Sequence, residues 1–203
     1  MPQTVGVVLA GGRGDRLGRT KGDLAIDGNS LAERAASLLW PLCGSVLISI
    51  ADGMANPAPD YPVVVDRPPP GRGPLVGIDA AFAATGDADL LVLACDYPRV
   101  SQSLMRRLAS HAAATDDLVM MTDFAGRDHP LVGLWRRAVA GVVRRAVETG
   151  RYKVRALLLE LRVRRIGPAE FPGVDLDRVL LNVNSPEELA RLSPPESRPE
   201  WPR

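Results

Sequence analysis

The first apolar run of the chain, Val5 to Leu9, reads as a buried strand and empties into Ala10-Gly-Gly-Arg-Gly-Asp-Arg-Leu-Gly-Arg-Thr-Lys21. Four glycines (Gly11, Gly12, Gly14 and Gly18) stand there among Arg13, Arg16, Arg19 and Lys21. Glycines at this density let a loop adopt positive φ angles and bring backbone N–H groups close to a ligand. N–H groups turned toward one point, with cationic side chains around them, form an anion cradle suited to a polyphosphate. A plain strand-to-helix turn needs neither so many glycines nor so much positive charge. The chain therefore opens as a strand-loop unit of an α/β fold with a phosphate site at the strand's carboxyl end.

Two common cradles do not match. A nucleoside-triphosphate P-loop requires G-x-x-x-x-G-K-[ST], whereas Gly18 is followed by Arg19 and Lys21 by Gly22. A dinucleotide loop needs an acid at the tip of the second strand about 20 residues on. The first acid ending a plausible second strand, Val46 to Ile50, is Asp52, which comes too late. A dinucleotide-binding helix should also begin at the glycines, and the stretch from Arg16 to Gly22 is polar and broken.

Apolar runs alternate with helical patterns along the rest of the chain. Strands are expected at Pro62 to Val65, Leu90 to Cys95, Leu118 to Met121, Leu131 to Trp135 and Arg162 to Ile166. Helices are expected at Ser30 to Leu39, with Ser30 and Glu33 at capping-box spacing, and at Leu75 to Ala84, Ser101 to Ala114, Ala138 to Glu148 and Val154 to Glu160. This order predicts an α/β fold: a doubly wound, mostly parallel sheet with helices on both faces and ligands at the carboxyl ends of the strands. One domain over residues 1–192 is expected, followed by a disordered proline-rich tail at 193–203 with four prolines. A formal net charge of +1 argues against a general nucleic-acid binder. No apolar segment reaches membrane-spanning length and the first residues do not resemble a signal peptide, so a cytoplasmic protein is expected. Cys43 and Cys95 make neither a disulfide framework nor a metal site.

The opening loop resembles the signature of nucleotidyltransferases of the molybdenum cofactor guanylyltransferase type, in which L-A-G-G, an arginine, a glycine and a lysine follow the first strand. Here those positions are Leu9, Ala10, Gly11, Gly12, Arg16, Gly18 and Lys21. The loop is shared across a wider superfamily of sugar-phosphate nucleotidyltransferases and cytidylyltransferases. Relatives using CTP tend to carry L-A-A-G, so Gly11 favours a purine nucleotide. Four further segments, in order, carry the resemblance. Gly71-Arg-Gly-Pro-Leu-Val-Gly-Ile78 is similar to the family's G-P-L-x-G turn; Gly73, Pro74 and Leu75 lie in it, and Asp66 matches the acid after the preceding strand. A carboxylate there can accept from the N1–H and N2–H₂ edge of guanine or from ribose hydroxyls; both are open. Leu91-Val-Leu-Ala-Cys-Asp96-Tyr-Pro98 matches C-D-x-P, whose aspartate holds the metal in the family. Mg²⁺ takes only one or two protein carboxylates beside phosphates, although an aspartate at this place can also merely cap a turn.

Gly126-Arg-Asp-His-Pro130 resembles the family's R-D-H-P segment, and Leu181-Asn-Val-Asn-Ser-Pro-Glu-Glu-Leu189 its N-x-N-[ST]-P-E-E-L segment. Ser185, Pro186 and Glu188 are explained by helix capping, but the paired Asn182 and Asn184 are not. Amides two residues apart on extended backbone face one side and suit a polar heterocycle such as a pterin. His129 has two open readings, a loop anchor before proline or a substrate contact. Arg151, Lys153 and Arg155 match basic residues that suit the pterin phosphate in the family, or form a solvated basic face. Ser49 departs from the family, where an asparagine near the nucleotide is common, and the contact is expected to be weaker.

The resemblance implies a nucleotide-diphospho-sugar transferase-like, Rossmann-type fold and transfer of GMP from GTP to the phosphate of molybdopterin, releasing pyrophosphate. It implies Mg²⁺ as cofactor on Asp96, with Arg16 and Lys21 on the triphosphate. Leu9, Ala10, Gly11, Gly12, Asp66, Gly73, Pro74 and Leu75 would surround the nucleotide, and His129, Lys153, Asn182 and Asn184 the pterin. Molybdenum-inserting and molybdoenzyme-maturation proteins are the implied partners. Two alternatives are a cytidylyltransferase or sugar-phosphate nucleotidyltransferase and a non-catalytic relative that binds and delivers the cofactor.

Overall fold

Side chains that alternate along each strand decide where the helices go. The computed structural model describes residues 3–12, 21–26, 28–66 and 72–183, with the backbone alone at Lys21. In chain order the elements are β1 (Thr4–Leu9), a short antiparallel pair β2 (Ala25–Ile26) and β3 (Asn29–Ser30), α1 (Leu31–Cys43), β4 (Val46–Ile50), β5 (Val63–Val65), α2 (Pro74–Ala84), β6 (Asp89–Ala94), α3 (Gln102–Ser110), β7 (Leu118–Thr122), β8 (Asp128–Trp135), α4 (Ala140–Glu148), α5 (Val154–Leu157), β9 (Val163–Ile166) and α6 (Leu176–Val179). Val8, Leu91 and Leu93 point to one face and pack with α1 and α3 through Leu31, Leu39, Leu104 and Leu108. Val5, Val7, Leu90 and Val92 point to the other face and pack with α2, α4 and α5 through Leu75, Phe82, Val143 and Leu157. Both faces are thus covered, which is why β1 and β6 read as nearly continuous apolar runs.

The main sheet has the order β5-β4-β1-β6-β8-β7-β9, and every strand runs in one direction except β8. The expected doubly wound, mostly parallel sheet with helices on both faces is observed. From β1 the chain winds outward through β4 and β5, then returns to β6 on the other side of β1. The crevice between the carboxyl ends of β1 and β6 is therefore the switch point where such folds take their ligands.

Local chemistry sets the boundaries. At the start of α1 the Ser30 hydroxyl accepts the Glu33 N–H at 3.0 Å, and the Glu33 carboxylate accepts the Ser30 N–H at 2.7 Å, completing the expected box. Such a cap stabilises a helix by about 1 kcal/mol. A Cβ on Gly6 would lie 3.0 Å from Val46 Cγ2 and 3.1 Å from Leu39 Cβ, so this glycine lets α1 settle closely on β1. Helix α3 stops at Ser110 instead of Ala114, because the His111 N–H turns back to Leu108 and the Asp116 carboxylate takes the Ala113 N–H at 2.7 Å. Strand β8 begins at Asp128, three residues before the expected Leu131. Its register against β7 slips between Met120, opposite Gly133, and Met121, opposite His129. Pro130 falls in the unmatched stretch, where its missing N–H costs no ladder bond.

Candidate active site

Three strand ends converge at the switch point. Past β1, the Ala10 N–H bonds Ser49 O of β4 at 2.9 Å, while Leu9 O accepts the Cys95 N–H beyond β6 at 3.2 Å. These two bonds draw the Gly11–Gly12 backbone and Asp96 to the same edge. Asp66, directly after β5, is tied back by its N–H to Ile50 O at 2.8 Å.

Asp66 is buried between two glycines. A Cβ on Gly11 would stand 2.9 Å from the Ala51 backbone nitrogen and 3.2 Å from Asp66 Oδ2. A methyl on Gly77, in the first turns of α2, would collide with the Ser49 hydroxyl oxygen and lie 3.1 Å from Asp66 Oδ1. Gly11 and Gly77 thus let the opening loop and α2 close directly on one carboxylate. Ser49 donates to Asp66 Oδ1 at 2.8 Å, its one side-chain donor among the described residues. Burial pushes the Asp66 carboxyl above the ordinary carboxylate range, and the Ser49 hydrogen bond opposes this only in part. Ser49, expected as a weakened nucleotide contact, is buried and donates its hydroxyl to Asp66.

Helix α2 begins as the sequence suggests. Gly73 takes φ +107°, a conformation that favours glycine, and Pro74 occupies the first helical turn. Leu75 is fully buried, and Leu9 and Ala10 are buried as well, so their side chains belong to the core. Segment 150–153 lies against this turn: the Tyr152 carbonyl comes within 3.5 Å of a Cβ built on Gly73, and the Arg72 guanidinium sits 5.8 Å from the Tyr152 ring centroid. Lys153 is exposed just before α5. Arg151 forms an ion pair with Glu160.

Asp96 lies just past β6 with its Oδ1 buried. Its main-chain carbonyl accepts the Val183 N–H at 2.8 Å, fastening the segment after α6 to the centre of the site. Val183 points inward and Asn182 is exposed, so the asparagine faces away from the core beside Asp96. Next to Asp96, the Tyr97 hydroxyl lies 3.3 Å from His129 Nδ1, with the rings edge to face at 5.8 Å. Burial and the neighbouring Asp96 carboxylate push the Tyr97 phenol upward, so it remains protonated. His129 Nε2 meets Asp123 Oδ2 at 3.2 Å.

Asp123 is a residue the sequence reading missed. Asp123, Arg127 and His129 lie close together in the sequence, but it is the register slip of β8 that brings His129 back to Asp123. The expectations for Arg16, Gly18, the Lys21 side chain, Gly71, Asn184, the Ser185 cap and the tail 193–203 lie outside the described residues.

Mg²⁺ keeps several waters and takes one or two protein carboxylates next to phosphates. Asp96, with its buried Oδ1 just past β6, fits that demand. Among the described residues no group of three His, Cys, Asp or Glu side chains forms a cage that would hold a metal by protein ligands alone. No helix among them is long and apolar enough to cross a membrane.

Residues 6–165 match the MobA-like NTP transferase domain. The probable molybdenum cofactor guanylyltransferase of Chloroflexus aggregans is 32% identical over 189 residues, covering 91% of this chain and 90% of its own. That of Mycobacterium tuberculosis is 34% identical over 192 residues, covering 91% and 92%. Among solved structures, the molybdopterin-guanine dinucleotide biosynthesis protein A of Archaeoglobus fulgidus superposes with a TM-score of 0.74 at 23% identity, over 92% of this chain and 95% of its own. A carboxylate-lined switch point, a nucleotidyltransferase fold and relatives aligned over nine tenths of the chain lead to one conclusion: the chain belongs to the MobA-like NTP transferase family.

Proposed function

We propose that this protein transfers GMP from GTP to the phosphate of molybdopterin, with molybdenum carried on the pterin as cargo. The observation that supports this best is the placing of Gly11–Gly12, Asp66 and Asp96 directly after β1, β5 and β6, with Asp66 closed on by Gly11 and the Asn182 segment fastened to Asp96. An oxygen of the pterin phosphate attacks the α-phosphorus of GTP, the bond to the β-phosphate oxygen breaks, and pyrophosphate leaves with the negative charge. The attacking phosphate is already anionic near neutral pH, so no general base is required. Catalysis is then positioning and charge neutralisation.

In this reading the N–H groups of Gly11 and Gly12, with Arg16 and Lys21, cradle the triphosphate and receive the charge of the departing pyrophosphate. Asp66 and the Gly73-Pro74-Leu75 turn select the nucleoside. Asn182 and Asn184 hold the pterin, and Lys153 meets its phosphate. Asp96 would hold Mg²⁺, which supplies charge neutralisation on phosphate oxygens. The reading implies a cytoplasmic reaction in company with molybdenum-inserting and molybdoenzyme-maturation proteins.

Pyrophosphate release across the four nucleoside triphosphates, with molybdopterin and Mg²⁺ supplied, tests it. Release with GTP alone is expected. Preference for CTP would move the protein to the cytidylyltransferases, and no release with any nucleotide would make it a binding or delivery relative. Asp96→Ala should abolish metal-dependent transfer with an unchanged circular dichroism spectrum, and retained turnover would remove the metal assignment.

A further inference from the structure

Both ring nitrogens of His129 are engaged, one by a residue the proposed reaction does not use. Asp123 follows β7 with a fully buried side chain, and it accepts from the Arg127 N–H at 2.9 Å, Arg127 Nε at 2.6 Å and His129 Nε2 at 3.2 Å. Burial pushes its carboxyl up, but the bonds from the Arg127 backbone, His129 and the Arg127 guanidinium outweigh that and hold it at about 2. Asp123 is thus a fixed acceptor. The nitrogen facing it must carry a proton, which in the neutral ring makes Nδ1 the acceptor toward the Tyr97 hydroxyl. The register slip in β8 is what brings His129 to this place, opposite Met121 instead of further along the ladder. Tyr97 in turn shares its peptide with Asp96, and the carbonyl of that peptide holds the Val183 N–H.

We propose that Asp123 and His129 are positioning residues: Asp123 fixes His129 in its Nε2–H form, His129 Nδ1 holds the Tyr97 hydroxyl, and Tyr97 steadies the Asp96–Tyr97 peptide on which the 181–183 segment hangs. His129 therefore acts on the substrate through Tyr97 and that segment, not by touching it. The chain of contacts runs from β7 through β8 to the end of β6, so it ties the antiparallel side of the sheet to the switch point. The inference rests on the proposed function only for what the Asn182 segment binds.

The test uses the full chain and has two readouts independent of turnover. Nitrogen NMR of the histidine ring should show His129 protonated on Nε2 alone, with that proton slow to exchange. A ring protonated on Nδ1, or an Nε2–H exchanging like free imidazole, overturns the inference. Tyr97→Phe removes only the hydroxyl and preserves the ring packing. It should speed exchange of the Val183 amide about tenfold and raise KM for molybdopterin about tenfold, with GTP affinity within about twofold. Unchanged Val183 exchange in Tyr97→Phe overturns it as well. If the wild-type protein releases no pyrophosphate, the functional reading fails, while the ring and amide measurements still decide the positioning claim.

Discussion

Asp66 and Asp123 are both buried at the carboxyl ends of strands, and the fold treats them in opposite ways. At the end of β5, Asp66 faces two glycines and receives one hydroxyl, and its carboxyl is pushed up by burial. At the end of β7, Asp123 receives three donors, and its carboxyl is held at about 2. A buried carboxylate whose donors are all supplied by the protein is scaffold. One held with few donors beside a ligand crevice is still short of hydrogen bonds, and a ligand carrying N–H or O–H groups can supply them. Under the proposed function, the contrast would separate a recognition aspartate from a structural one without reference to position in the chain.

The largest effect that could break this contrast is on folding. Asp123→Ala strips the Arg127 N–H and His129 of their buried acceptor and is expected to cost about 2–4 kcal/mol in urea unfolding. The pH dependence has a definite sign. The folded carboxyl lies below its ordinary value of 3.8, so its contribution is present above that pH and is lost as pH falls from about 4 toward about 2. Equal stability of mutant and wild type at neutral pH would erase the distinction. Asp66→Asn should do the reverse: GTP affinity falls by about 1.5–3 kcal/mol in calorimetry, as for loss of a charge-assisted bond, while the melting temperature holds or rises. Because the Asp66 carboxyl is raised, protonation favours the folded state, and any stability gain of Asp66→Asn should shrink as pH falls through the raised carboxyl toward its ordinary value of 3.8 and be absent below it. Smallest is Ser49→Ala, expected to cost about 1 kcal/mol and to leave Asp66 titrating still higher, as read from the pH dependence of GTP binding.

Much of this architecture is legible in the chain, and the exceptions share a cause. The β1 run, the Ser30–Glu33 box, the Gly73–Pro74 start of α2 and the placing of Asp66 and Asp96 at strand ends all follow from local patterns. The partner of the Ser49 hydroxyl is Asp66, 17 residues away past the end of another strand, which no local pattern announces. The reason for Gly77 is equally remote, since the atoms a side chain would strike belong to β4 and the end of β5. The early start of β8 depends on a register slip against β7 that no alternation of residues announces. Asp123 looks like an ordinary turn aspartate until the slip brings His129 back to it. What sequence conceals here is which neighbour a polar side chain finally answers to.

The hydrogen bond between Val183 and Asp96 also has a consequence for biosynthesis. Among the described residues, the site takes its first backbone contact from Leu9 and its last fastening from Val183. A nascent chain emerging amino end first can assemble β1, β4, β5 and β6 and bury its two glycine-flanked surfaces on Asp66 long before Val183 leaves the ribosome. Until then the carbonyl of Asp96 has no Val183 to hold. Under the proposed function, the nucleotide half of the site would mature during translation while the pterin half waits for the segment at Val183, so a chain not yet made that far would meet GTP without completing the exchange.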